Sequence, residues 1–361
     1  MTKKVIVTGS QGYIGSVLIP KLVEKGYDLI ALDTGFFHNS QLYRSKSINF
    51  IKEDMRNFDY KLLDGVDSVV HLASIANDPF GKLSPKIIYD PIISYSFNLA
   101  LECKKRNINF IWPSSCSVYG IADGFLTEDS VLNPQTPYSV NKVDFEDKLE
   151  ELCDENFTPI VLRLCTLYGL SSRLRFDLVI NMFAGMAFTK KEIILNSDGG
   201  SWRPVVHIED VCEVILQCLA GKLSIDRHKN ISKPLIINVG DNKENYKIYD
   251  LALLASSLVD NCEVSFINYK EDNESTNHFR DQNINDGIDA RTYKVSFDKL
   301  NKFLPNFRIK YPAEKGIKQL IDKFNEINLT YDEFTNYKYY RLKTMDYLLK
   351  NKLINKNLYW M

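Results

Sequence analysis

Thr2-Lys3-Lys4-Val5-Ile6-Val7-Thr8-Gly9-Ser10-Gln11-Gly12-Tyr13-Ile14-Gly15 decides how the rest of the chain is read. Val5, Ile6 and Val7 form an apolar, β-branched run of strand character. Tyr13, Val17, Leu18, Leu22 and Val23 recur at helical spacing and stop at Gly26. Between strand and helix, three glycines stand at intervals of three. Glycine lets the chain turn sharply and lets its backbone come close to a pyrophosphate. The helix N terminus then offers unpaired N–H groups and a partial positive charge. Gly9, Gly12, Tyr13, Ile14 and Gly15 are therefore expected to hold a dinucleotide. Taken alone, such a turn is also compatible with an ordinary strand-to-helix loop.

The next apolar run, Tyr27-Asp28-Leu29-Ile30-Ala31-Leu32, ends in Asp33. An acid at the end of a second strand accepts a hydrogen bond from the adenosine ribose 2′-OH and repels a 2′-phosphate. Asp33 thus favours NAD over NADP; its other role would be to cap the turn before Gly35. Further strands are expected at 47–52, 67–72, 108–114 and 158–164, with helices at 12–25, 86–106 and 137–155. This alternation predicts an α/β fold, a Rossmann-type doubly wound parallel sheet with right-handed crossovers and ligand loops at the strand C-terminal ends. Past residue 170 the alternation loosens. Leu174 to Phe188 reads as a helix and Asp198-Gly199-Gly200 as a turn. Val205 to Val211 leads into a helix ending near 220. Leu235 to Val239 reads as a buried strand, 248–259 as a helix, and 270–290 as a polar surface loop. The expected division is an NAD-binding Rossmann domain (1–170 and 205–240), a smaller α/β substrate domain (171–204 and 241–326) and a helical tail (327–361) packed on the body.

Composition narrows the class. The chain has 361 residues, 45% hydrophobic and 25% charged, with 45 Lys plus Arg against 46 Asp plus Glu. Such a balance gives no reason to expect a nucleic-acid or membrane partner. No apolar run is long enough to span a bilayer, and a strand so close to residue 1 leads us to expect no signal peptide. The seven Cys are scattered without C-x-x-C pairs. They read as reduced core thiols of a cytoplasmic protein, and no metal is expected.

Two stretches carry chemistry. Pro113-Ser114-Ser115-Cys116-Ser117-Val118-Tyr119-Gly120 follows the fifth strand at the ligand edge. Its hydroxyls could equally satisfy a turn. Downstream, Pro137-Tyr138-Ser139-Val140-Asn141-Lys142 places Lys142 one helical turn after Tyr138. To act as a base near neutrality a tyrosine must come down from about 10 to about 7, which asks about 4 kcal/mol of anion stabilisation. A neighbouring ammonium and a positive nicotinamide ring could supply it. Lys142 could also bridge the nicotinamide ribose hydroxyls. Ser115 could hold the substrate oxygen while Tyr138 moves the proton.

With these residues in hand, the chain resembles the extended short-chain dehydrogenase/reductases, the NAD-dependent nucleotide-sugar epimerases, dehydratases and reductases, among them UDP-glucose 4-epimerase-like enzymes. The resemblance rests on the glycine turn, Asp33, Asp54-Met55-Arg56, His71-Leu72-Ala73-Ser74, Ser115 before Val118-Tyr119-Gly120, and Tyr138-x-x-x-Lys142. It continues through Arg163-Leu164-Cys165-Thr166-Leu167-Tyr168-Gly169, Trp202-Arg203-Pro204-x-x-His207-Ile208-x-Asp210-Val211 and Asn238-Val239-Gly240. The resemblance implies Ser115, Tyr138 and Lys142 as the catalytic set, the last two also touching the cofactor. It implies Asp54 and Met55 at the adenine, and Leu72, Ala73 and Ser74 beneath the cofactor. Ser115, Ser117, Thr166, Asn181, Arg203 and Arg291 are the implied substrate-binding residues, Arg291 being preferred to Arg280. An arginine suits a diphosphate because its planar fork donates two parallel bonds. There are departures: Thr166 stands where relatives carry Asn, and Ile92 or Ile93 where many carry Asn. Cys116 and Ser117 stand where the 4,6-dehydratases carry Asp and Glu.

Dehydration needs an acid and a base, so those last two positions speak against a 4,6-dehydratase. The expected activity is a nucleotide-diphosphate-sugar 4-epimerase working by reversible hydride transfer at C4 through a 4-keto intermediate. A nucleotide-sugar 4-dehydrogenase or 4-keto-sugar reductase is the alternative. A non-catalytic NAD-binding protein on the same fold is a third reading, which the intact Ser115, Tyr138 and Lys142 oppose. The resemblance also implies a homodimer paired through helices 86–106 and 137–155.

Overall fold

The computed structural model describes residues 2–43, 49–76, 85–223, 232–266 and 291–361. Arg280, the stretch 270–290 and part of the expected strand 47–52 lie outside the described residues. β1 (Lys4–Thr8) is buried from Val5 onward. It runs into Gly9, whose φ of +71° is a left-handed conformation open to glycine. A Cβ on Gly9 would stand 2.8 Å from the backbone of Leu72 and Ala73. The Gly12 N–H closes the turn on the Gly9 carbonyl at 3.0 Å. α1 (Gly15–Glu24) then buries Val17, Leu18, Ile19 and Leu22. It begins three residues later than the 12–25 expected, because 12–14 are used in the turn.

The chain continues through β2 (Asp28–Asp33), β3 (Ile51–Lys52), β4 (Ser68–His71), α2 (Pro85–Lys105), β5 (Asn109–Ser115), β6 (Ile121–Leu126), α3 (Pro137–Glu150) and β7 (Ile160–Leu164). β8 (Thr166–Tyr168), α4 (Val179–Lys190), β9 (Glu192–Leu195), β10 (Trp202–His207), α5 (Ile208–Leu219) and β11 (Leu235–Val239) follow. Next come β12 (Asn245–Lys247), α6 (Ile248–Ser257), β13 (Glu263–Phe266) and β14 (Thr292–Val295). The last described helices are α7 (Asp298–Phe303), α8 (Ala313–Glu326), α9 (Tyr331–Phe334) and α10 (Arg341–Lys350).

Seven strands in the order β11-β7-β5-β4-β1-β2-β3 make one all-parallel sheet. The winding reverses between β1 and β4, and an open sheet of this kind binds ligands in the crevice beyond that point. This is the expected doubly wound sheet. Beside it lie a three-stranded sheet, β12-β10-β8, and two parallel pairs, β13-β9 and β14-β6. These short strands join partners far apart in sequence, and none was anticipated as a strand.

The helix expected from Leu174 begins only at Val179. Residues 173–177 alternate charged and apolar side chains instead, and those from Arg173 to Phe176 are all buried. Leu174 and Phe176 are fully buried, while Arg175 and Asp177 pair across 2.8 Å. Phe176 donates its N–H to the Tyr339 carbonyl at 3.1 Å. Its ring packs among Phe324, Phe334, Tyr339 and Tyr340. The C-terminal segment builds this aromatic seat, so local periodicity could not reveal it. The same segment places Met345, Leu348, Ile354 and Leu358 against Ile88, Tyr89 and Ile92 of α2.

Candidate active site

Thr136 and Ser139 start α3 with a reciprocal cap. The Thr136 hydroxyl accepts from the Ser139 N–H at 3.2 Å and Ser139 Oγ from the Thr136 N–H at 3.0 Å. Pro137 occupies the first turn, where its missing N–H costs nothing. Tyr138 and Lys142 then fall one turn apart, Lys142 Nζ 5.6 Å from the Tyr138 ring centre. Lys142 also lies 4.3 Å from the Trp112 ring centre and donates to the Pro113 carbonyl at 2.8 Å. Lys142 is therefore held against β5, whose last residue is Ser115, while Tyr138 packs on the apolar cluster of α2 and the C-terminal segment. Ser115 Oγ accepts from the Ser117 N–H at 3.1 Å and caps the short 3-10 turn Cys116–Tyr119. Burial pushes the Lys142 ammonium down to about 7; Glu146 opposes that fall and Arg341 adds to it. Beneath, Glu146 and Arg163 form a buried ion pair at 2.6 Å, with the Ser114 hydroxyl also donating to Glu146. This pair ties α3 to β5 and β7.

Gly9, Gly12, Asp33, Asp54, Met55, Leu72, Ala73 and Ser74 line one cleft at the switch point of the sheet. Asp33 accepts from the Gln11 N–H at 2.9 Å and the Gly35 N–H at 2.7 Å, which fixes its carboxylate beside the glycine turn. Burial raises its pKa, and these two N–H bonds oppose the rise. Asp54 also meets its own neighbour: Oδ1 accepts from the Arg56 N–H at 3.0 Å and from Nε at 2.8 Å. Arg56 in turn donates to the Asn357 and Leu358 carbonyls at 2.6 and 2.8 Å.

Other expected residues fall elsewhere. The Tyr13 ring is buried in the core and its hydroxyl donates to the Gly169 carbonyl at 2.6 Å. Asn181 is fully buried: Oδ1 accepts from the Gly169 N–H, and Nδ2 donates to Tyr13 Oη and the Arg175 carbonyl. These bonds lock α4 to the turn at Gly169, and the structure does not bring Asn181 to the cleft. Ile14 and Gly15 enter and open α1. Arg203 and Arg291 do meet, Arg203 Nη1 donating to the Arg291 carbonyl. Thr166 sits on the neighbouring strand, opposite Val205. Ser117 is buried, and its Oγ has no hydrogen-bond partner among the described residues.

The cleft also contains residues that local patterns did not single out. Phe36, Phe37, Arg341 and Leu358 line it. Trp360 closes over the loop after β2, its indole N–H donating to the Thr34 carbonyl at 2.6 Å. Arg341 lies 265 positions from Ala76, its hydrogen-bond partner, so no local spacing announces it.

Residues 5–240 match the model of the NAD dependent epimerase/dehydratase family. The chain belongs to this family. It is 31% identical over 246 residues to an uncharacterized UDP-glucose epimerase of Bacillus subtilis, covering 63% of this chain and 76% of that protein. A UDP-glucose 4-epimerase of the same species is 26% identical over 254 residues, 61% of this chain and 74% of its own. Among solved structures, the UDP-glucose 4-epimerase of Thermotoga maritima superposes with a TM-score of 0.70 at 21% identity, covering 90% of this chain and 99% of its own. An NAD dependent NDP-hexosamine 5,6-dehydratase of tunicamycin biosynthesis gives 0.72 at 20% identity, covering 90% and 98%. As a member of the NAD dependent epimerase/dehydratase family, the protein is an NAD-using enzyme of the short-chain dehydrogenase/reductase type. Its residues fit that cofactor. Gly9 leaves no room for a side chain against β4, Gly12 faces the cleft, and Asp33 sets a carboxylate where a ribose diol can donate to it.

Proposed function

We propose that the protein is an NAD-dependent nucleotide-diphosphate-sugar 4-epimerase. The observation that carries this reading is the pairing of Tyr138 with Lys142, the lysine held on β5, beside a loop whose Cys116 and Ser117 carry no carboxylate. Two relatives named as UDP-glucose epimerases support the substrate class. Gly9, Gly12, Asp33, Asp54 and Ala73 would hold NAD, which supplies a hydride acceptor and returns the hydride. Tyr138 takes the proton from the sugar C4 hydroxyl and gives it back after the sugar has turned. Ser115 at the end of β5 orients that oxygen. Lys142, near neutrality and one turn away, stabilises the phenolate. Arg203 and Arg291, drawn together at β10 and β14, are the groups suited to the substrate diphosphate. Dehydration would need an acid and a base flanking the same carbons. The Cys116 thiol instead donates to the Arg163 carbonyl at 3.3 Å. We also propose a homodimer paired through α2 and α3, where Val140 is 41% exposed.

The test begins by releasing and identifying the bound dinucleotide, then incubating the protein with UDP-, GDP-, CDP- and dTDP-sugars. Retained NAD with a C4 epimer as product is expected, and Tyr138→Phe should lower turnover by about 10²–10⁴-fold while NAD stays bound. Stoichiometric NADH and a keto-sugar would overturn the proposal in favour of a 4-dehydrogenase or 4-keto-sugar reductase.

A further inference from the structure

Two buried guanidiniums meet one ring, Phe37, in the cleft of the glycine turn. Arg173 stands 4.6 Å from the Phe37 ring centre and Arg341 5.6 Å from it. Arg173 is 2% exposed and Arg341 8% exposed. Arg341 lines the cleft together with Gly9, Gly12 and Asp33. Its Nη1 donates to the Ala76 carbonyl, just past β4. Arg173 donates one bond, from Nη1 to the Leu174 carbonyl at 2.9 Å. Its Nε and Nη2 are buried with no hydrogen-bond partner among the described residues.

The charges around them do not balance. Arg175 is already paired with Asp177. Asp33 is engaged by the Gln11 and Gly35 N–H groups. Two desolvated cations remain near a turn built to accept phosphate, Arg341 in the cleft itself and Arg173 with two unused donors. Burial lowers the pKa of both arginines and the neighbouring Arg175 adds to the fall, while Asp177 opposes it only in part. A ligand carrying two negative phosphates at the glycine turn removes this imbalance and supplies acceptors for the forked donors.

We propose that Arg341, carried by the C-terminal segment, and Arg173, before α4, form a clamp on the diphosphate of the bound dinucleotide, so that residues beyond 340 complete the cofactor site. The segment is fastened to that side of the cleft at two further points. Arg56 holds the Asn357 and Leu358 carbonyls, and the Trp360 indole holds the Thr34 carbonyl. The inference rests on NAD as the cofactor and is independent of which sugar reaction follows.

The test is calorimetric titration of the full chain, stripped of nucleotide, with ADP-ribose and with adenosine. Arg341→Gln should weaken ADP-ribose by about ten- to hundredfold. Adenosine, which has no phosphate, should bind Arg341→Gln within about twofold of the parent. Arg341→Lys, keeping the charge, should recover part of the loss. Arg173→Gln should show the same selectivity. Equal weakening of both ligands would mean that Arg341 only shapes the cleft, and parent-like ADP-ribose binding would remove it from the site; either result overturns the proposal. A parent that binds ADP-ribose yet epimerises no sugar would sink the proposed reaction and leave the clamp standing.

Discussion

Gly15 shows how closely a single position is specified. A Cβ there would stand 2.5 Å from the backbone carbonyl oxygens of Gly9 and Ser10, neither of which is the end of a flexible side chain. Gly15→Ala should therefore destabilise the protein by about 1–3 kcal/mol through overpacking. Urea unfolding measures it, and a midpoint equal to the parent's would refute the claim. Residues of this kind were legible because their constraint is local: three glycines at fixed spacing, an acid at the end of the next strand, a tyrosine and lysine one turn apart. Arg173 and Arg341 were not legible. Their significance comes from sharing Phe37, and residues so far apart in sequence meet only once the fold exists. Asn181 illustrates the converse. Its position matched the resemblance, yet its amide is engaged by Gly169, Tyr13 and Arg175.

Among the elements, the segment from Arg173 to Asp177 has the most to explain. A run with Leu174, Phe176 and Leu178 was read as helical, but the Phe176 N–H bond to Tyr339 and the burial of the whole stretch from Arg173 to Phe176 hold it out of α4. Phe176→Ala should cost about 3–5 kcal/mol, because four surrounding rings cannot collapse into the space left behind. It should also loosen the C-terminal segment. Amide exchange over residues 337–350 should accelerate in the variant relative to β1 and β4, and uniform acceleration would contradict that coupling. The helices α2 and α3 and the strands β1, β2, β4, β5 and β7 of the large sheet were readable. Their burial follows the periods of 3.6 and of a continuous apolar run. The pairs β13-β9 and β14-β6 were not, since each strand is short and its partner lies far along the chain.

At the scale of the whole molecule, acid should unfold the protein partly through His71. Its ring is buried between the Thr8 and Ser96 hydroxyls, at 2.8 Å from each. Burial pushes it down to about 3 from the ordinary 6.5, and Lys142 adds to the fall. The native ring stays neutral while the unfolded one gains a proton below 6.5. Stability is therefore whole above about 6.5 and is lost as pH falls toward 3, by up to about 1.4 kcal/mol per pH unit from this residue. His207, also pushed down to about 3 by burial, acts in the same direction. Urea unfolding between pH 4 and 7 should give a shallower slope for His71→Asn than for the parent, and matching slopes would exclude His71 as a cause. A different consequence follows from the outer strand of the large sheet. β11 pairs with β7 residue for residue from Leu235–Ile160 to Val239–Leu164, after the chain has left to build β8 to β10, α4 and α5. A gene fragment ending near 170 would leave β7 as a bare apolar edge, a template for aggregation. The stretches before and after residue 170 are thus not exchangeable cassettes. Recombination between relatives must carry both crossings together, and a graft made at the first crossing alone would be selected against before its chemistry was ever tried.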